Sequence, residues 1–209
     1  MSARVISRTI AALTLAPSCW PAMAEPLTTI DLSSPAVRCV FATNERCNLD
    51  GTASVGAIPI PGIAGSAVLH SLTFPAVPDS PAAGLTGYEF RVDLSLARAG
   101  PAKVCVTRLT LDVGQLSRLP YTGRADLFDV FVINTGAPGF VGLASAERAE
   151  SAITFVFAKP VCPGAGSDKG ESSYFFGFAA GEAPREVSAR VEIDSGEALP
   201  VAARAPAPH

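Results

Sequence analysis

The sequence predicts an all-β protein, an antiparallel β-sandwich with jelly-roll or immunoglobulin-like topology, held by two disulfides. Three observations predict it. Apolar and polar residues alternate with period two, Gly- and Pro-rich stretches separate the alternating segments, and an even set of cysteines follows an export leader.

The leader comes first. Arg4 and Arg8 are the only charges before Glu25, Ile10 to Ala16 is a short apolar core, and Ala22-Met23-Ala24 fits a small-x-small cleavage site. The apolar run is too short for a transmembrane anchor, and Pro17 interrupts any lipobox before Cys19. Residues 1–24 therefore read as a secretory signal cleaved after Ala24, placing the chain in the periplasm or outside the cell. An excess of Arg over Lys, 13 to 3, with abundant Ala, Gly and Pro suggests a bacterial source.

The strands follow in order. Ala67 to Phe74 is one. Tyr88 to Leu96 is the clearest, with Tyr88, Phe90, Val92, Leu94 and Leu96 on one face and Glu89, Arg91, Asp93 and Ser95 on the other. In Lys103 to Val113, Cys105, Leu109, Leu111 and Val113 share a face. Leu127 to Ile133 and Ile153 to Phe157 are almost wholly apolar and read as central strands covered on both sides. Ala144 to Ser151 is the only helix-like stretch, and it lacks a sustained apolar stripe. Tyr174 to Phe178 is a short aromatic strand, and Val187 to Ile193 alternates again. Turn-rich segments at 59–65, 75–87, 135–142 and 160–170 punctuate these runs. Residues 25–197 read as one domain, whose roughly 185 residues with the tail bury about 70% of the unfolded surface. Residues 25 to about 36 are expected to be loosely attached, and 198–209 to form a disordered Ala/Pro-rich tail.

Four cysteines remain after the leader, Cys39, Cys47, Cys105 and Cys162. An even number in an exported chain points to two disulfides, for which three pairings exist. Cys39–Cys47 with Cys105–Cys162 is preferred, because the first pair is close in sequence and the second joins a core strand to a nearby loop. Chain entropy assigns them roughly 2.5 and about 4 kcal/mol. Zinc is disfavoured: there is no C-x-x-C pair and no His nearby.

The stretch Phe128 to Ile193 carries a resemblance. Asp129-Val130-Phe131-Val132-Ile133-Asn134-Thr135-Gly136, Gly142-Leu143-Ala144-Ser145-Ala146, Ile153-Thr154-Phe155-Val156-Phe157, Pro160-Val161-Cys162, Tyr174-Phe175-Phe176-Gly177 and Ala183-Pro184-Arg185 occur together. They resemble uncharacterised exported bacterial β-sandwich proteins related to some PEP-type sorted proteins. The resemblance implies a shared fold and supplies no activity. A sorting helix and basic tail do not accompany it here, so surface retention by that route is not expected.

A constellation for chemistry is hard to assemble. Removal of Arg4 and Arg8 leaves 14 basic residues against 19 acidic ones, a net charge of −5, so nucleic acid and anionic lipid are poor partners by charge. There is no G-x-S-x-G, and the two histidines are His70, in a strand, and His209, in the tail. Glu89 and Asp93 share a strand face, but Arg91 lies between them and Arg190 is expected on a neighbouring strand, which reads as charge pairing on a solvated face. Asp126 and Asp129 have opposite strand parity. Asn48, Asp50 and Gly51, and Asp168, Gly170 and Glu171, form oxygen-bearing turns that calcium favours, without dense D-x-D-x-D spacing. Residues 164–170 are glycine-rich but lack G-K-[ST]. Sugar stacking would fall to Tyr121 and Tyr174, since Tyr88 lies on an apolar face and the only tryptophan, Trp20, is in the leader.

The sequence thus points to a non-enzymatic structural or interaction module, self-associating or binding protein partners through sheet edges, with no cofactor, catalytic residue or membrane span after cleavage. A module binding glycan or calcium is the alternative, and an enzyme built on an unrecognised carboxylate site comes third.

Overall fold

The structure, a computed structural model, describes residues 24–43, 47–101 and 103–207. Apart from Ala24, the expected leader lies outside the described residues, as does His209. The chain begins with β1 (Glu25–Pro26), β2 (Thr29–Ser33) and a short helix, α1 (Ser34–Phe41). Strands β3 (Thr52–Ala57), β4 (Ala64–Pro75), β5 (Thr86–Arg98) and β6 (Val106–Asp112) follow. Next come β7 (Val130–Thr135), β8 (Leu143–Ala149) and β9 (Ala152–Val161). The last three are β10 (Phe175–Ala180), β11 (Pro184–Ile193) and β12 (Ala198–Pro206).

Two six-stranded sheets face each other. The first runs β1-β8-β9-β6-β11-β12 and the second β2-β7-β10-β5-β4-β3. All neighbours are antiparallel except β2 and β7, which are parallel. The inward faces meet in a core of Tyr88, Phe90, Phe155, Phe176 and Phe178 with the flanking Val, Leu and Ile positions. Phe155 and Phe176 lie 4.8 Å apart between the sheets, within the range where aromatic pairs add to simple burial. Tyr88 keeps its hydroxyl satisfied there by donating to the Glu182 carbonyl at 2.5 Å.

Sequence alternation sets most of these faces, and in β5 a bulge breaks it. Tyr88, Phe90, Val92 and Leu94 point inward as expected, but Leu96 is 68% exposed and Ala97 is buried instead. The pairing of β4 with β5 shifts by one residue between Ser66 and Val68, and an extra residue inverts every side chain beyond it.

Four further expectations are corrected. In Ile153 to Phe157 only the odd residues are buried, because the outer face of the first sheet carries no third layer, leaving Thr154 and Val156 half-exposed. The helix-like stretch from Ala144 is strand β8, and the helix is α1. Residues 25–33 are not loose: β2 pairs with β7 from Thr29 to Ser33, and β1 pairs with β8. The supposed tail is strand β12, paired with β11 from Pro184↔Pro206 to Glu192↔Ala198. Leu199, Val201, Ala203 and Ala205 give it a buried face, and the prolines sit where the ladder needs no donor.

Both preferred disulfides form, Cys39–Cys47 with Cα atoms 4.6 Å apart and Cys105–Cys162 at 4.3 Å. The second closes the β6–β9 ladder just beyond Val106↔Val161. The first joins α1 to the chain that follows it.

The far edges of the two sheets meet where β3 faces β12. A methyl group on Gly56 would overlap the Ala202 carbonyl oxygen, so the backbones approach as closely as glycine allows. That oxygen points away from β11, and Pro200 and Pro206 share its parity, so this edge offers few donors. Gly56→Ala should force the seam apart at a cost of about 2 kcal/mol, a melting-temperature loss of roughly 4–8 °C. Calorimetry showing an unchanged transition would refute the close contact.

Candidate functional site

The outer face of the second sheet is where charge, aromatic rings and burial coincide. Pleating places Glu89, Arg91 and Asp93 of β5 there, beside His70, Leu72 and Phe74 of β4, Phe175 and Gly177 of β10, and Phe131 and Ile133 of β7. Over part of this face lies α1, with Pro35 in its first turn and Val37, Val40 and Phe41 buried beneath it. Phe41 meets Phe74 edge-on at 5.0 Å, and Tyr121 meets Phe131 at 5.2 Å. Together with Leu119 and Ala179 they form a second, smaller core.

Glu89 lies under this layer and is only 2% exposed. The Arg38 guanidinium of α1 is 3.8 Å from its Oε2, and its Oε1 has no hydrogen-bond partner. Burial pushes the carboxyl up to about 7, with Arg38 pulling in the other direction. Arg38 is itself 29% exposed and stands 5.6 Å from the centre of the Phe74 ring.

Further along β5, Arg91 pairs with Asp93, and His70 Nε2 lies 3.4 Å from Asp93 Oδ2. The Ser95 amide donates to Asp93 Oδ1 at 2.9 Å, and Arg91 stacks 5.2 Å from the centre of the Phe175 ring. Burial alone would raise the Asp93 carboxyl, but the Ser95 hydrogen bonds and Arg91 outweigh it and hold it below the usual carboxylate value.

This corrects the picture of a solvated charge ladder. Glu89 is buried, and the Arg91 and Asp93 side chains are 13% and 12% exposed. Arg190 is on β11 in the first sheet, opposite Thr110 and Pro200, and plays no part. The charge partners are instead Arg38 and His70. Glu89 and Asp93, four residues apart on one strand, stand about 13 Å from each other, wider than the carboxyl spacing of glycosidases.

The other acidic groups are committed elsewhere. Glu171 accepts from Lys159 Nζ at 2.7 Å and from the Cys162 amide at 3.1 Å. Burial would raise its carboxyl, but these donors hold it below its ordinary value. Asp168 and Asp50 are exposed in their turns, and among the described residues no three His, Cys, Asp or Glu side chains converge as metal ligands. Asp129 takes the Thr28 amide at 2.9 Å and the Thr28 hydroxyl at 2.5 Å, with Arg118 at 3.5 Å, while Asp126 is exposed. Tyr121 is core, and Tyr174 is half-buried against the main core.

The first sheet, by contrast, leaves its outer face bare. Arg108 and Glu192 pair there at 3.7 Å, and Thr110 hydrogen-bonds Thr154 at 3.0 Å. An open depression of about 470 Å³ runs past Arg108, Phe157, Lys159, Glu192 and Asp194.

Fold and site together define a disulfide-stapled β-sandwich with a third layer on one sheet. Comparison with protein families, curated proteins and solved structures finds no match.

The roles of Arg38 and Thr28 were not read from the sequence. Pro35 followed by Val37, Val40 and Phe41 at helical spacing is the signal that locates α1.

Two outcomes are expected. Asp129→Ala should cost about 1–2 kcal/mol and accelerate hydrogen exchange across residues 25–33, because the Thr28 donors lose their acceptor; wild-type protection there would rule the clamp out. The stability lent by Asp93 is complete above its unfolded value near 4 and lost as pH falls through its lower folded value. Asp93→Asn should therefore flatten part of the acid limb of melting temperature against pH, and an unaltered limb would count against the pairing.

Proposed function

We propose that the chain is an exported bacterial protein without catalytic activity, working as a structural or interaction module in the periplasm or at the cell exterior. The leader pattern of residues 1–24, the two disulfides and the resemblance of residues 128–193 to exported proteins support the location. Among the described residues no helix is long and apolar enough to cross a membrane.

The observation that carries the reading is a contrast between side chains and backbone. Glu89, Asp93, Asp129 and Glu171 are each paired within the fold. Among the described residues the outer edge of β2 is not paired. Thr28 accepts from the Val130 amide, so in a parallel ladder residues 30 and 32 face β7 while Thr29 and Asp31 turn their N–H and C=O groups outward. Such an edge can take up another strand, in a second copy or in a partner. At the opposite seam, β3 against β12 leaves no comparable opening.

Light scattering of residues 25–209 over a concentration series, with calcium and with chelator, tests this. Tyrosine absorbance reports concentration, since these residues contain no tryptophan. Oligomers that grow with concentration are expected, and Thr29→Pro should reduce them without shifting the melting temperature, because it removes an outward donor only. A strict monomer at every concentration overturns self-assembly.

A second reading, a module binding glycan or calcium, draws on the open depression beside Arg108 and Glu192. It predicts saturable stabilisation of about 2.7 kcal/mol at a hundredfold excess of ligand over Kd. A flat thermal-shift screen of glycans and calcium would eliminate it.

A further inference from the structure

Glu89 sits where a sheet should carry an apolar residue. Its neighbours across the strands are Leu72 on β4 and Gly177 on β10, one apolar and one without a side chain. Oε1 has no hydrogen-bond partner, and among the described residues the cation set against the carboxylate is Arg38, on the helix that covers it.

The attachment of that helix is equally particular. Cys39 is bonded to Cys47, so the staple ties α1 to its own following chain and not to the sheet. The backbone bonds from the layer's far end run to the 76–85 segment, where the Val77 and Ala82 amides donate to the Phe41 and Val40 carbonyls at 2.9 and 3.1 Å. At its start α1 runs straight on from β2, whose Ser33 pairs with Thr135, and between that anchor and the 76–85 segment it is held by the packing of Val37, Val40 and Phe41 and by the Arg38–Glu89 contact.

We propose that this third layer is a pH-operated flap, docked on the second sheet while Glu89 is protonated and loosened when Glu89 is ionised, with the main sandwich intact beneath it. Loosening brings Phe74 and Glu89 into water. A burial cost of one carboxylate drives it, and the Cys39–Cys47 staple keeps the moving piece local.

The charged groups around Glu89 leave it in control. On its own strand Arg91 and Asp93 are paired with each other, and His70 on β4 is turned to Asp93. Asp79 of the 76–85 segment is exposed, Arg118 and Asp129 pair with each other beside β7, and Tyr121 is buried against Phe131. From α1 comes only Arg38.

The direction follows from the two protonation limits. Below about 4.5 Glu89 is protonated whether docked or released, and nothing opposes docking. Between that value and about 7 only the docked form keeps its proton, so loosening grows with pH and levels off above 7.

Hydrogen exchange of the intact chain, corrected for intrinsic rates, reads this directly. The local opening constant of amides in 37–42 and 77–85 should rise on the order of a hundredfold from pH 5 to pH 8, while β10 amides stay protected. Glu89→Gln should abolish the rise. Arg38→Gln should enlarge it at pH 8 and leave pH 5 unchanged. Equal protection at the two pH values in wild type, a wild-type rise in Glu89→Gln, or no effect of Arg38→Gln would each overturn the proposal.

Discussion

The fold depends on the fact that its second sheet is apolar on both faces. Phe90, Phe176 and Phe178 face the first sheet, while Phe74, Phe131, Ile133 and Ala179 face the other way. A sheet with two apolar faces needs a cover on each, and the first sheet supplies only one. The remaining cover is assembled from pieces distant in sequence: α1, the 76–85 segment, and the stretch around Leu119 and Tyr121. That demand converts an N-terminal stretch expected to be loose into part of the structure, and it takes Glu89 out of water.

How much of this could be read from the residues follows the range of the interactions. Tyr88 to Leu94 was legible because alternation is local and a half-buried strand reports its own faces. Leu96 was not, because the bulge opposite Ser66 and Val68 belongs to the pairing of two strands and not to either one. Residues 198–206 carried a period-two pattern in Leu199, Val201, Ala203 and Ala205, but the Ala and Pro content masked it. Of three possible cysteine pairings the one that forms was preferred, because Cys39 and Cys47 are close in sequence and Cys105 lies in a core strand near the Cys162 loop. Glu89 was misread for a stronger reason. Strand parity distinguishes two faces but does not say what lies on them, and the helix that buries this side chain is about fifty residues upstream.

The same division explains the distribution of charge. On the first sheet, whose outer face is bare, opposite charges such as Arg108 and Glu192 pair loosely in water, where such pairs are worth little. On the second sheet the pairs are partly or wholly desolvated, and each shapes its surroundings. Asp93 gathers Arg91, His70 and the Ser95 amide, and Asp129 fixes Thr28. Burial makes these groups sensitive to the loss of a partner, so each organises the fold around it.

The parallel pairing of β2 with β7 has a consequence for how the protein comes to exist. Thr28 and Asp129, joined by hydrogen bonds, are 101 residues apart along the chain. On the export reading, β2 has no resting place until residue 135 has followed it across a membrane, and β1 has none until Arg148 has. The segment that straps one sheet to the other is thus among the last to settle, and a contact of such long range is slow to close. A chain built this way remains unfinished for most of its passage. Adjacent pairs such as β3 with β4 and β4 with β5 can close as they appear, while the N-terminal strands wait for the middle of the chain.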